Sequence, residues 1–291
     1  MLSTALVTQR LFHSIVVHQT QPGETARAPE KWAFFLHGIL GSGANWRTFA
    51  KRVVARCPSW GAALVDLRMH GNSQSMPPPH TVAACAEDLF ALHPSLAAPI
   101  RAVIGHSFGG KVALAYSALR ATLGTPLDLV VSVDSNPGLR EDASGSAQIH
   151  AVISALESLP SVVVSRDAFA SHMRERGLSD GLVAWLMMNL RPVDGGFAVR
   201  LDLAAIRAML GDYFARDDWS LVERPADTRV AMIVGGQSPA FSQIERDRIA
   251  ASSRAHPALV SLDVIEHAGH WVHVDAPDEL FEIVTRELSA T

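Results

Sequence analysis

The sequence predicts an α/β protein: a mostly parallel, doubly wound sheet with a helical insertion after the strand that ends at Asp134. Three observations carry that expectation. Short apolar runs alternate with longer helix-periodic stretches, the rhythm of strands joined by crossover helices. Those runs are nearly continuous in Val, Leu, Ile, Phe and Ala, as strands covered on both faces must be. One connection, the 94 residues between Asp134 and Arg229, is far longer than a plain βαβ unit of ~30 residues.

The elements follow in order. Leu11–His18 reads as a first strand. Further strands are expected at Trp32–His37, Ala62–Asp66, Arg101–Gly105, Leu127–Val133, Arg229–Val234 and Val260–Ile265. Helices fit between them at Trp46–Cys57, Thr81–His93, Phe108–Leu123, Phe241–Arg254 and Pro277–Leu288. The last begins on a proline, whose missing N–H costs nothing in a first turn. The long connection opens with polar Glu141–Ser146. It then reads as helices at Ala147–Leu159, Arg166–Arg176, Asp180–Asn189 and Leu203–Phe214. The expected division is a core of residues 1–136 and 226–291 carrying a helical lid of residues 137–225. Phe169, Met173, Trp185, Met187, Met188 and Met209 give the lid a soft apolar character. Methionine adapts equally well to packing a lid onto a core and to lining an acyl pocket. The expected pocket residues are Leu40, Met173, Trp185, Met188 and Trp271.

Composition narrows the function. With 48% hydrophobic and 19% charged residues in 291, there is ample material for a core, and disorder is excluded. The 25 Lys and Arg nearly balance 29 Asp and Glu, a net charge of −4, with no basic cluster, which argues against a nucleic-acid partner. Mean hydropathy is slightly positive at +0.16, yet no apolar run approaches the ~18–20 residues of a spanning helix. The expected partner is a small molecule, and the expected state a monomer or homodimer. Two cysteines, Cys57 and Cys85, form no CxxC pair and fit reduced, half-buried thiols in a reducing compartment. A cytoplasmic location follows. Met1–Gln21 contains Arg10 and no acidic residue, so organellar import by the roughly ten residues before the first strand stays open.

The chemistry centres on Gly105-His106-Ser107-Phe108-Gly109-Gly110, a G-x-S-x-G match lying directly after a strand and before an apolar-periodic helix. A serine on such a turn projects its oxygen out of the sheet, and bulky neighbours two residues away would collide there. The helix N-terminus places backbone N–H groups and positive dipole beside a developing oxyanion. A serine needs an oriented base. The loop after the last strand offers His267, His270 and His273. Gly269 interrupts any helix that would align them on a metal, and no metal is expected. His270, following that flexible turn, is the expected base.

The acid is the informative case. After Arg229–Val234 come Gly235-Gly236-Gln237-Ser238-Pro239, with no carboxylate, and Glu245 and Asp247 fall inside the next helix. Asp134 ends the strand before the insertion and is the expected acid; a structural Asp134 capping the turn at Ser135-Asn136-Pro137 is the competing view. After the first central strand, the glycines of His37-Gly38-Ile39-Leu40-Gly41 let backbone amides approach a ligand. The Ile39 and Phe108 N–H groups are the expected oxyanion hole. His37 and the Asp66–Ser73 segment are expected to knit loops together.

With these residues in hand, the chain resembles the α/β-hydrolase superfamily over essentially its full length. Within it, the chain is similar to the small esterase and thioesterase branch of bacterial YbfF and its mitochondrial abhydrolase relatives. The resemblance rests on His37–Ser42, Asp66–Ser73, Gly105–Lys111 and Ala268–Pro277. It implies the α/β-hydrolase fold and a serine esterase or acyl thioesterase acting on short or medium acyl chains without a cofactor. It also supports an acid at the strand end before the lid, matching Asp134. Ser135-Asn136-Pro137 departs from the Ile-Ser-Pro common there, which touches the pocket floor and not the triad. Other serine chemistry, such as C–C bond hydrolysis or cofactor-free peroxidation, remains an alternative, as does a non-catalytic small-ligand receptor. Dehalogenases and epoxide hydrolases use an aspartate where this chain has Ser107.

Overall fold

Near-continuous burial along the central strands sets the architecture. The computed structural model describes residues 10–19, 28–92, 96–140 and 147–291. Its strands are β1 (His13–Val16), β2 (Lys31–Leu36), β3 (Trp60–Val65), β4 (Ile100–His106), β5 (Leu129–Val133), β6 (Leu190–Val193), β7 (Gly196–Val199), β8 (Arg229–Gly235) and β9 (Val260–Ile265). Seven form one sheet in the order β1-β3-β2-β4-β5-β8-β9. Only the β1–β3 pair is antiparallel. Side chains alternate across it, as the period of two requires. Phe34 and Leu36 of β2 pack into the half-core of α2 (Val82–Leu92) and α3 (Phe108–Thr122). Ala33 and Phe35 pack into the half-core of α1 (Arg47–Arg56) and α10 (Pro277–Ser289). The remaining core helix, α9 (Gln243–Ala255), joins β8 to β9.

Between β5 and β8 the chain forms α4 (Ala147–Glu157), α5 (Arg166–Glu175), α6 (Asp180–Leu186), α7 (Leu203–Ala215) and the short α8 (Trp219–Glu223). Side-chain caps fix three starts: Ser165 on Ala168 N, Ser179 on Leu182 N and Asp202 on Ala205 N. The inner faces of these helices join the same apolar cluster as α2 and α3.

Several expected elements are adjusted. The first strand is only His13–Val16, because just those four residues find partners on β3. Leu127–Val133 begins at Leu129. The helix expected over Asp180–Asn189 stops at Leu186 and tightens into a 3-10 turn over Met187–Asn189. The hairpin β6–β7 was not foreseen: four-residue strands carrying Pro192 and an exposed Arg191 have no readable alternation. Tertiary pairing of Val163 with Phe197 holds it. Cys57 and Cys85 are fully rather than half buried. The N-terminal import segment, His93 and Glu141–Ser146 lie outside the described residues. Among the described residues, no helix is long and apolar enough to cross a membrane.

Candidate active site

The site is assembled at the carboxyl ends of β4, β5 and β9, where ligands of open parallel sheets bind. β4 ends at His106 and α3 begins at Phe108, leaving Ser107 alone at the corner with φ 52° and ψ −118°. L-residues rarely adopt that backbone. It is held here by the Ser107 N–H donating to Val133 O (2.9 Å) and by Gly110 N–H donating to Ser107 O (2.8 Å). Glycine is obligatory on both sides. A Cβ on Gly105 would sit 2.0 Å from Gly109 O, and one on Gly109 would sit 2.6 Å from His37 O.

The register His106↔Val133 sets the ends of β4 and β5 side by side, so Asp134 emerges next to Ser107. Asp134 has φ 46°, and its N–H donates to Ile233 O at 2.7 Å. Its carboxylate is fully buried. Oδ2 accepts from His270 Nδ1 (2.6 Å) and Ser238 Oγ (2.5 Å), and Oδ1 accepts from Gly235 N (3.0 Å). With Nδ1 donating to the carboxylate, the bare Nε2 of His270 faces Ser107 Oγ at 3.0 Å. Ser238 thus stands in the segment after β8 that lacks a carboxylate, and it adds a hydrogen bond to Asp134. Glu245 is committed elsewhere, to Asn136 Nδ2 and to the N–H and hydroxyl of Ser242.

The histidines of the last loop diverge. His270 is aimed by its own carbonyl, which accepts from His106 Nε2 at 2.8 Å. Burial, reinforced by His273 and His270, holds the pKa of His106 well below the ordinary histidine value. His273 packs on Trp46 and is lowered to about 4 by burial. His267 points to solvent, 3.6 Å from Glu279.

The glycine loop after β2 holds the two expected amide donors. The Leu40 N–H is taken by His70 Nε2 at 3.0 Å. Among the described residues, the N–H groups of Ile39 and Phe108 have no acceptor. His37 bridges loops: Nε2 accepts from Leu67 N (3.0 Å) and Nδ1 donates to Gly38 O (2.7 Å). Asp66 does likewise, accepting from Gly43 N and Asn72 N at 2.8 Å each.

A cavity of about 130 Å³ opens on Ser107 and His270. Ile39, Phe108 and Trp271 line it from the core, and Trp185, Leu182 and Leu210 from the insertion. Of the expected pocket residues, Trp185 and Trp271 are there; Leu40, Met173 and Met188 are not. Leu40 and Met173 are completely buried within the apolar core, and Met188, on the 3-10 turn, is 57% exposed. Sequence reasoning also missed Tyr213, Arg140 and Ser238. Tyr213 lines the cavity together with Ser107, and burial pushes its pKa up to about 12. Arg140 lines the same cavity, its guanidinium donating to the Ala240 and Pro239 carbonyls. A search of the segments flanking the strand ends for polar side chains would have raised Ser238 and Arg140. Tyr213 had no signal beyond helix periodicity.

The chain matches the alpha/beta hydrolase family over residues 33–283. The sn-1-specific diacylglycerol lipase ABHD11 of Mus musculus is 28% identical over 260 residues, spanning 88% of this chain and 80% of that protein. Esterase YbfF of Escherichia coli strain K12 is 29% identical over 258 residues, 87% of this chain and 91% of that one. Among solved structures, a marine microorganism esterase shares the fold with a TM-score of 0.75 at 22% identity, covering 96% of this chain and 99% of its own. A family match over most of the length, on a sheet with this strand order and this corner serine, places the chain: it belongs to the alpha/beta hydrolase family.

Proposed function

We propose that the protein hydrolyses carboxylic esters or acyl thioesters of short-to-medium acyl chains through an acyl-enzyme on Ser107. The observation that carries this reading is the relay Ser107 Oγ–His270 Nε2 (3.0 Å), His270 Nδ1–Asp134 Oδ2 (2.6 Å) opening onto a mainly apolar cavity. Relatives named esterase and diacylglycerol lipase support it.

Each step follows from that geometry. Ser107 Oγ attacks the acyl carbonyl while His270 Nε2 takes its proton, and Asp134 stabilises the imidazolium. The oxyanion rests on the Ile39 and Phe108 N–H groups, which have no acceptor among the described residues and need no reorganisation. The intermediate collapses as His270 returns the proton to the departing alcohol or thiol. Water then enters, gives a proton to the same nitrogen and attacks the acyl-enzyme, releasing the acid and restoring Ser107. Residues 137–225 act as a lid, setting acyl-chain length through side chains such as Trp185 and Leu210.

The test is a chain-length series of p-nitrophenyl esters and acyl-CoAs, run against Ser107→Ala. Turnover that peaks at short or medium chains and vanishes in the variant is the expected result. Full activity in Ser107→Ala, or a preference for bulky charged substrates, overturns the reading.

A further inference from the structure

Lys111 is a charged side chain with no exposed surface, in the first turn of α3, four residues after Ser107. Its ammonium donates to three backbone carbonyls: Gly138 O (2.7 Å), Tyr213 O (2.6 Å) and Arg216 O (2.7 Å). It also lies over the Tyr213 ring, 4.6 Å from the centroid. Three donors meeting three acceptors is the full complement of an ammonium.

The placement of those carbonyls gives the arrangement meaning. Gly138 lies four residues past Asp134, where the chain leaves the sheet. Tyr213 and Arg216 lie at the end of α7, where the insertion turns back toward it. Two backbone bonds already join these ends, Asp218 N–H to Pro137 O (2.7 Å) and Arg140 N–H to Phe214 O (2.8 Å). Lys111 ties that neck to the helix whose first amide is Phe108. It does so through Tyr213, which lines the cavity together with Ser107.

We infer that Lys111 is a positioning residue: by holding both ends of the insertion against the nucleophile helix, it sets the acyl-binding wall relative to Ser107. The inference rests on the proposed ester hydrolysis for its kinetic consequence. Ser107, Asp134 and His270 all stand on the core, so a loosened neck leaves the chemistry intact and spoils the fit of longer chains.

Burial pulls the Lys111 pKa down to about 8. The charged groups around it are Asp218, Asp217, Arg216 and Arg140, and Asp218 is paired with Arg216. Tyr213, held near 12, stays neutral across that window. Above about pH 8 the neutral amine has two donors for three carbonyls, and the neck loses one bond.

The experiment has three readouts. In Lys111→Met, kcat/KM for p-nitrophenyl acetate is expected within about threefold of wild type, and that for the octanoate to fall about tenfold or more through KM. Amide exchange is expected to quicken at residues 137–140 and 213–218 and not in β4 or β5. In the wild-type enzyme, the octanoate-to-acetate ratio of kcat/KM is expected to fall as pH rises through about 8, which keeps the test alive if the variant does not fold. Equal losses on both esters, unchanged exchange at the neck, or a ratio flat to pH 10 overturns the inference. An enzyme inactive on every ester overturns the functional reading instead, and the exchange measurement still decides the role of Lys111.

Discussion

Two pairs of histidines at the same end of the sheet show how one side chain serves opposite ends. His37 and His70 lie 4.9 Å apart between the loops after β2 and β3. Their Nε2 atoms accept from the Leu67 and Leu40 amides, and their Nδ1 atoms donate to the Gly38 and Arg68 carbonyls. All four nitrogens are consumed by backbone. His106 and His270 are also 4.9 Å apart, but His270 spends Nδ1 on a carboxylate and presents Nε2 to a hydroxyl that can leave its proton behind. What separates a strut from a base is therefore what the second nitrogen faces.

Replacing His270 gives the largest effect this comparison implies. His270→Ala is expected to lower kcat for a p-nitrophenyl ester by about 10⁴-fold or more. Its far-UV dichroism and urea midpoint should stay close to wild type, since the ring is one-third exposed. His37→Ala should do the reverse, lowering the urea midpoint through an orphaned Leu67 amide at about 1–3 kcal/mol, with little change in kcat of the folded fraction. Stability loss in the first variant matched by activity loss in the second would erase the distinction.

The next effect tests the orientation of the base. Asp134 accepts three hydrogen bonds and donates none, which an amide cannot reproduce. In Asp134→Asn an NH₂ must face a donor; placed at the Oδ2 position it spares Gly235, forces the Ser238 hydroxyl to turn and accept, and pushes the proton of His270 onto Nε2. A kcat loss of about 10³–10⁴-fold with KM nearly unchanged is expected. Glu245→Gln, on the helix the sequence also offered, should stay within about twofold. The reverse ranking would move the acid to α9.

How much of this was legible follows from which physics acted locally. The strands were readable because covered parallel strands must be continuously apolar, and the corner because only glycine fits at positions 105 and 109. Ser107, Asp134 and His270 could be placed near one another because strand ends share one edge. Leu40, Met173 and Met188 were misplaced for the complementary reason. Which way a helix in the insertion faces is set by packing against elements far away in sequence, and Met173 satisfies helix periodicity equally well pointing into the core. Lys111 reads as an ordinary helix-surface lysine until the carbonyls at positions 138, 213 and 216 are brought over it. Tyr213 had no signal beyond helix periodicity.

A third effect, on stability, tests the struts by pH. Burial lowers His37 to about 4 and His70 to about 3, the latter further lowered by its neighbour His37. Both fold as neutral rings, whereas in the unfolded chain they take up protons near the ordinary 6.5. The unfolded state therefore binds more protons below that value, and stability falls as pH drops through the window from 6.5 to about 4. His37 alone accounts for roughly 3 kcal/mol across it. Urea midpoints measured from pH 7 to pH 4 should decline steadily. A flat profile means the loop histidines are already charged when folded, and the contrast with His270 fails.

The smallest effect sits three residues from the largest. His267 shares the loop of His270, and the sequence favours His270 over it as base because His270 follows the Gly269 turn. Its ring is 60% exposed, and Glu279, 3.6 Å away, is 52% exposed. An exposed pair of this kind contributes about 0–1 kcal/mol, screened further by salt. His267→Ala is expected to leave kcat/KM within about twofold and stability within about 0.5 kcal/mol, measured by ester turnover and urea melts on the same preparation. A thousandfold kinetic loss would mean that the loop exchanges His267 for His270 during turnover. A null result ties the role to the nitrogen that Asp134 orients, because the two histidines then differ only in what their rings face.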